Sequence, residues 1–199
     1  MPRSLILATA AMAMVVLASN ILVQFLLGDW LTWGALTYPL AFLVTDIANR
    51  LHGAAAARRV VAVGFAVGVL CSLVASFWGL TSFRIALGSG IAFLTAQMVD
   101  IGIFDRLRRG RWWRAPLISS LAGSLIDTGL FFSIAFAGAL AFLDPADPNG
   151  WAREAVPLFG VGPEAPLWVS LAIADLAVKL GMAALALLPF RLLTARLAA

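Results

Sequence analysis

Six long apolar stretches alternate with short polar breaks along this chain, over residues 5–27, 32–51, 57–80, 83–104, 115–143 and 167–193. Each holds at least about 20 residues, the length at which an α-helix crosses a hydrocarbon layer ~30 Å thick. Backbone amides in lipid must all be hydrogen-bonded, which favours helices over open strands. The pattern predicts an all-α polytopic membrane helix bundle with six transmembrane helices, one integral membrane domain over residues 1–199. The connections are short except the last. There Asp144-Pro145-Ala146-Asp147-Pro148-Asn149-Gly150 stops a helix, and Pro157, Pro163 and Pro166 keep the following segment irregular. A short interfacial helix fits residues 151–158. At the start, Arg3, the apolar residues 5–17 and Ala18-Ser19 resemble a secretory signal peptide. The apolar run continues through Ile21-Leu22-Val23 and Phe25-Leu26-Leu27, so it reads as an uncleaved first span.

Composition agrees with a membrane solvent. The 199 residues are 62% hydrophobic and 12% charged, against about half and about a quarter in soluble domains. That leaves too little polar surface for a water-facing globule. A net charge of +4 does not imply a nucleic-acid partner, because the arginines sit in short loops and read as topology signals. Six crossings put Arg3, Arg50, His52, Arg58, Arg59, Arg106, Arg108, Arg109, Arg111, Arg114, Arg191 and Arg196 on one side. The other side receives Asp29, Asp144, Asp147, Glu154 and Glu164, with Arg153 and Arg84. Arginine-rich short loops stay in the cytoplasm, so both termini are expected there. Trp30, Trp33 and Trp78 then fall near the outer boundary and Trp112 and Trp113 near the inner one, as interfacial anchors. Gly64 with Gly68 and Gly88 with Ala92 let helices approach closely. The single cysteine, Cys71, excludes an intrachain disulfide and a cysteine-rich metal site.

The chemistry lies in polar residues embedded in the apolar runs. Two segments share one pattern, each centred on an aspartate: Ala96-Gln97-Met98-Val99-Asp100-Ile101-Gly102-Ile103-Phe104 and Gly123-Ser124-Leu125-Ile126-Asp127-Thr128-Gly129-Leu130-Phe131. An ionised carboxylate in hydrocarbon is costly unless paired or reached by water. The pair therefore points either to a polar pocket or pathway or to helices tied together by buried polar contacts. The other spans add Asn20 and Gln24 on one face, Thr45, Asp46, Asn49 and Arg50, then Ser119 and Ser120, and finally Asp175 and Lys179. Asp46 with Arg50, and Asp175 with Lys179, have the i,i+4 spacing at which opposite charges pair on a helix. Carboxylates accept hydrogen bonds, and Asn and Gln both donate and accept. The candidate substrate-binding set is Asn20, Gln24, Asp46, Asn49, Gln97, Asp100, Ser124, Asp127, Asp175 and Lys179. It suits a flat polar heterocycle with several N–H donors and a carbonyl better than a bare metal ion. No catalytic constellation, phosphate-binding glycine loop, metal site or cofactor motif stands out, and His52 has no acid and serine beside it.

The order and spacing of several motifs resemble the queuosine precursor transporters, of the vitamin-uptake-transporter class. In the first half these are Asn20-Ile21-Leu22-Val23, Tyr38-Pro39-Leu40-Ala41-Phe42-Leu43-Val44-Thr45-Asp46, Gly53, Ala57-Arg58-Arg59-Val60 and Gly64-Phe65. In the second half they are residues 90–93, 97–100 and 124–132, Ile134-Ala135-Phe136, and Lys179 ahead of Leu187-Leu188-Pro189. The resemblance covers nearly the whole chain apart from residues 144–166. The chain departs from it at Arg50, where many members carry an acid, and at Ser124, where many carry Gln. The resemblance implies a multi-pass inner-membrane protein that imports 7-cyano-7-deazaguanine and 7-aminomethyl-7-deazaguanine, its partners being that deazapurine and the lipid bilayer. Donor and acceptor matching gives Asp100 or Asp127 the guanine-like pair of N–H groups and Gln97 the carbonyl. Three readings stay open. One is a stand-alone transporter, alone or as a homo-oligomer. The second is a binding subunit for a separate energising module, docked on small residues such as Ala8, Ala11 and Ala18. The third is a structural or assembly protein.

Overall fold

In the computed structural model, which describes residues 2–146 and 148–197, the apolar runs fold into helices. Helix α1 is Arg3–Leu22. A two-residue ladder, β1 (Leu26–Leu27) and β2 (Leu31–Thr32), leads to α2 (Trp33–Thr37) and α3 (Leu40–His52). Next come α4 (Ala54–Phe77), α5 (Phe83–Leu107) and α6 (Arg114–Phe136). A 3-10 stretch, Gly138–Leu143, and a 3-10 turn, Gly150–Arg153, lead to an antiparallel hairpin of β3 (Ala155–Pro157) and β4 (Glu164–Pro166). Helices α7 (Leu167–Leu185) and α8 (Leu187–Leu197) follow. Among the described residues, five helical stretches are long and apolar enough to cross a membrane: Arg3–Leu22, Ala54–Phe77, Phe83–Leu107, Arg114–Phe136 and the near-continuous Leu167–Arg196.

Four expectations are corrected. The second apolar stretch is a broken helix, because Pro39 has no N–H for the i−4 bond and the next amides reach back only three residues, Ala41 to Tyr38 and Phe42 to Pro39. At 13 residues, α3 alone is only ~20 Å long, short of a full crossing. The first helix stops at Leu22 instead of running to residue 27, which leaves Gln24 exposed and off the helix. The fifth stretch ceases to be α-helical at Phe136. Residues 151–158 form a turn and a strand in place of a helix, since Pro157 interrupts the run and the chain folds back through Gly160 and Gly162. The prolines sit at the ends of this isolated hairpin, where no ladder N–H is required. Asp147, assigned to the acidic side, lies outside the described residues.

Small residues set the closest approaches. The core joins Met12 and Val16 of α1, Ala41 and Ala48 of α3, Val60 of α4 and Phe93 of α5. Gly34, at the start of α2, lies against the backbone at the end of α1, so a Cβ there would stand 2.9 Å from both N and Cα of Val23. A Cβ on Gly123 of α6 would meet the Phe42 ring of α3 at 2.6 Å. Large apolar side chains such as Leu7, Leu70, Phe77, Leu125 and Leu185 point outward, as lipid requires.

The bundle has two chemically different ends. At one, Ser4 Oγ is 2.9 Å from His52 Nε2, Arg50 and Arg108 each donate to the other's backbone carbonyl, and Arg191 lies 5.0 Å from the Trp112 ring centroid. The start of α1, the α3–α4 and α5–α6 links and α8 therefore share the arginine-rich end. At the other, Asn149 donates to Ser82 Oγ at 2.8 Å and Trp30 packs edge-on against Phe159 at 5.6 Å. Arg84, expected among the loop charges here, is fully buried instead. Its guanidinium donates to the carbonyls of Ile134 and Ala137 at 2.9 and 2.6 Å. Helix C-termini leave such carbonyls without intrahelical partners, and a cation there also suits the helix dipole.

Candidate functional site in a buried polar seam

Helix spacing brings polar side chains of α3, α5, α6 and α7 onto facing surfaces. Thr45, Asp46 and Asn49 line one face of α3, Gln97 and Asp100 one face of α5, and Ser119 and Ser120 begin the facing side of α6; all are buried. Thr45 Oγ1 donates to Gln97 Oε1 at 2.7 Å, and Asn49 Nδ2 donates to the Ile101 carbonyl at 3.1 Å. Ser119 and Ser120 each donate to Asp46 at 3.3 Å, one to each carboxylate oxygen. The Thr45–Gln97 and Asn49–Ile101 bonds clamp the face of α3 that carries Asp46 against the face of α5 that carries Asp100, with one aspartate between the two bonds on each helix. Four buried atoms in this cluster make no hydrogen bond: both oxygens of Asp100, Nε2 of Gln97 and Oδ1 of Asn49. The expected Asp46–Arg50 pair does not form. Arg50, at the last turn of α3, is drawn to the Arg108 carbonyl at 2.5 Å, so Asp46 faces serines.

A second cluster joins α6 and α7. Lys179 Nζ donates to Asp127 Oδ2 at 2.6 Å and to Asp175 Oδ2 at 2.5 Å. It also lies 3.1 Å from Thr128 Oγ1, whose hydroxyl donates to Asp175 at 2.8 Å. Tyr38, at the break between α2 and α3, donates its hydroxyl to Asp127 Oδ1 at 2.9 Å, and Lys179 stands 5.4 Å from the tyrosine ring centroid. The expected Asp175–Lys179 pair is present, yet it is not self-contained, because Asp127 joins it from another helix. The two matching aspartates thus sit in different settings: Asp127 is ion-paired and Asp100 has no cation.

The seam closes between the clusters. Ser120, Ser124 and Lys179, with Pro39, Phe42 and Ala183, line a cavity of about 10 Å³, room for at most about one water. Among the candidates, Asp46, Asn49, Gln97, Asp100, Ser124, Asp127, Asp175 and Lys179 fall along the seam. Asn20 does not join it: its amide donates to the Val16 carbonyl of its own helix at 2.9 Å. Gln24 is exposed. Tyr38, Ser119 and Ser120 join the seam although they stand outside the candidate substrate-binding set. The serines were legible as polar residues in an apolar run, and Tyr38 as the lone tyrosine beside a helix-breaking proline. Among the described residues, no group of three or more His, Cys, Asp or Glu is arranged to hold a metal ion. A larger groove, about 290 Å³, lies between α1 and α4 and is lined by Ile6, Thr9, Ala10, Ala13 and Val63. It is apolar and separate from the seam.

Helices of membrane length around a charged, solvent-excluded interior define a multi-pass integral membrane protein, consistent with a bacterial inner-membrane location. The chain belongs to the family described as "Putative vitamin uptake transporter", whose model matches residues 32–194. It is 39% identical over 142 residues to the queuosine precursor transporter of Escherichia coli (strain K12), covering 62% of this chain and 64% of that protein. It is 38% identical over 138 residues to the probable queuosine precursor transporter of Haemophilus influenzae (strain ATCC 51907 / DSM 11121 / KW20 / Rd), covering 61% and 57%. A probable queuosine precursor transporter of Bacillus subtilis (strain 168) is 29% identical over 147 residues, covering 61% and 62%. The matched region thus spans roughly three-fifths of the length of these curated relatives. No solved structure matches the chain.

Proposed function

We propose that the protein imports queuosine precursors, 7-cyano-7-deazaguanine or 7-aminomethyl-7-deazaguanine, across the inner membrane. In this reading the broken α2–α3 unit supplies a sixth crossing and both termini face the cytoplasm. The observation that carries it is the set of buried atoms without partners on one face of α5. Asp100 offers two acceptor oxygens and Gln97, one turn away, offers a donor N–H. A deazaguanine presents two N–H donors in line beside a carbonyl acceptor, the complement of that set. Unmatched buried polar groups are costly, and a ligand that pairs with them recovers that cost on binding. The names of the relatives support the same substrate class. The Asp127–Lys179–Asp175 cluster holds α7 against α6 beside this surface and, through Tyr38, touches the break that precedes α3.

The test is queuosine in transfer RNA from a bacterial strain that neither makes nor imports the precursors. It would express this chain and receive nanomolar 7-cyano-7-deazaguanine. Restored queuosine is expected. Both variants should lower it at unchanged membrane levels: Asp100→Asn weakens binding by about 10- to 100-fold, the worth of hydrogen bonds to a charged group, and Gln97→Leu by up to about tenfold, the worth of a neutral one. Full activity in both variants would overturn the site assignment.

A further inference from the structure

The unpartnered oxygens of Asp100 raise a question that substrate recognition leaves open. Asp100 is fully buried, and its neighbour Asp46 is buried as well. Among the described residues, neither carboxyl is ion-paired with a cation. The charged groups on the surrounding elements are engaged or turned away. Arg50 of α3 and Arg108 after α5 bond backbone carbonyls, and His52 meets Ser4. Arg191 of α8 lies over Trp112, and Asp127 of α6 is held by Lys179. Arg58 and Arg59 of α4, Asp105 and Arg106 of α5, and Arg114 of α6 are exposed. The face of α1 that meets α3 and α4 is apolar, with Met12 and Val16. Asp46 and Asp100 are buried on facing surfaces of α3 and α5, between the Thr45–Gln97 and Asn49–Ile101 bonds; two ionised carboxylates facing each other away from water repel, and such pairs keep one proton between them.

We propose that Asp46 and Asp100 form a dyad that holds one proton, which passes to Asp46 when the heterocycle docks on Asp100, so that substrate binding is proton-linked. The serines allow this exchange. Ser119 and Ser120 donate to Asp46 while it is ionised, and either hydroxyl can turn to accept from it once it is protonated. Asp100 must be ionised to accept two N–H groups at once. With both acids protonated, Asp100 has lost an acceptor. With both ionised, the docked state carries two adjacent charges. Affinity therefore falls on both sides of an optimum, by about tenfold per pH unit on each limb, the slope of one linked proton. The proton transfers carboxyl to carboxyl, and no other bond changes. The relay rests on the import reading above; the proton site itself does not.

Two measurements on the purified full chain test the idea. The first is the infrared carbonyl stretch of a protonated carboxylic acid, recorded without ligand. The wild type should show such a band at neutral pH, and the Asp46→Asn, Asp100→Asn double variant should lack that intensity. An unchanged band in a monodisperse double variant would overturn the proton site. The second is equilibrium binding of 7-cyano-7-deazaguanine across pH. The wild type should give a bell-shaped profile. Asp46→Asn, a fixed stand-in for the protonated acid, should remove the alkaline limb. A flat wild-type profile, or an alkaline limb that survives in Asp46→Asn, would overturn the relay while leaving import intact. Absence of binding at every pH would overturn the relay together with the import reading, whatever the infrared band shows.

Discussion

At the scale of single residues, the two aspartate-centred segments diverge because of what faces them. Lys179 neutralises Asp127 and Asp175 together, so removing that one cation strands two buried carboxylates. Breaking a buried pair from one side costs about 3–5 kcal/mol, whereas replacing the whole set by neutral groups is close to neutral. Lys179→Met should accordingly lower the melting temperature of the purified protein sharply. Adding Asp127→Asn and Asp175→Asn to it should restore most of the loss. Thermal unfolding followed by size-exclusion recovery reads both, and a triple variant as unstable as the single one would sink this account. The misassigned Asp46–Arg50 pair teaches the same lesson. The i,i+4 spacing permits a pair, but near a helix end the free carbonyls of a neighbouring helix compete for the guanidinium, and here the Arg108 carbonyl wins.

At the scale of elements, close approach between helices decides where the polar faces meet. Gly34 and Gly123 both occupy sites where a Cβ would intrude, but the obstacles differ. At Gly34 the obstacle is backbone, N and Cα of Val23 at 2.9 Å and the Ser19 carbonyl at 3.0 Å. At Gly123 it is the edge of the Phe42 ring, which can rotate. Overpacking costs about 1–3 kcal/mol where neighbours can yield and more where they cannot. Gly34→Ala should therefore destabilise more than Gly123→Ala in the same unfolding assay. The reverse order would mean that α2 moves more easily than the Phe42 side chain. Gly123→Ala presses on α3, which carries Asp46, so under the proposed import function it should also weaken deazaguanine binding.

At the scale of the whole molecule, the arginine-rich end and the hairpin end give the bundle a polarity that a membrane can read. Six crossings require the start of α1, the α3–α4 link, the α5–α6 link and α8 to share one compartment. In a Cys71→Ser background, Arg109→Cys should react with a membrane-impermeant maleimide only from the cytoplasmic side. Val161→Cys, exposed at the opposite end, should react only from outside. Labelling of both from one side would mean that α6, the helix between them, does not cross the membrane, and would remove the six-span arrangement.

What the amino-acid sequence determined by itself is what depends on neighbours along the chain. Run length and apolarity were enough for a helical membrane protein, because lipid forces each backbone to satisfy its own hydrogen bonds. Charge segregation was legible in the loops, and the local Asp175–Lys179 pair followed from helix spacing. Helix ends were less legible: α1 stops at Leu22 with no proline or glycine beside it in the chain, and its end lies against Gly34 of another element. The site was legible only as a list of embedded polar residues. Which of them meet was decided by the tertiary structure, because their partners are remote: Thr45 reaches Gln97 across 52 positions and Tyr38 reaches Asp127 across 89. The same packing left Asp100 without a cation and gave Asp127 one, a difference that no property of the two matching segments encodes.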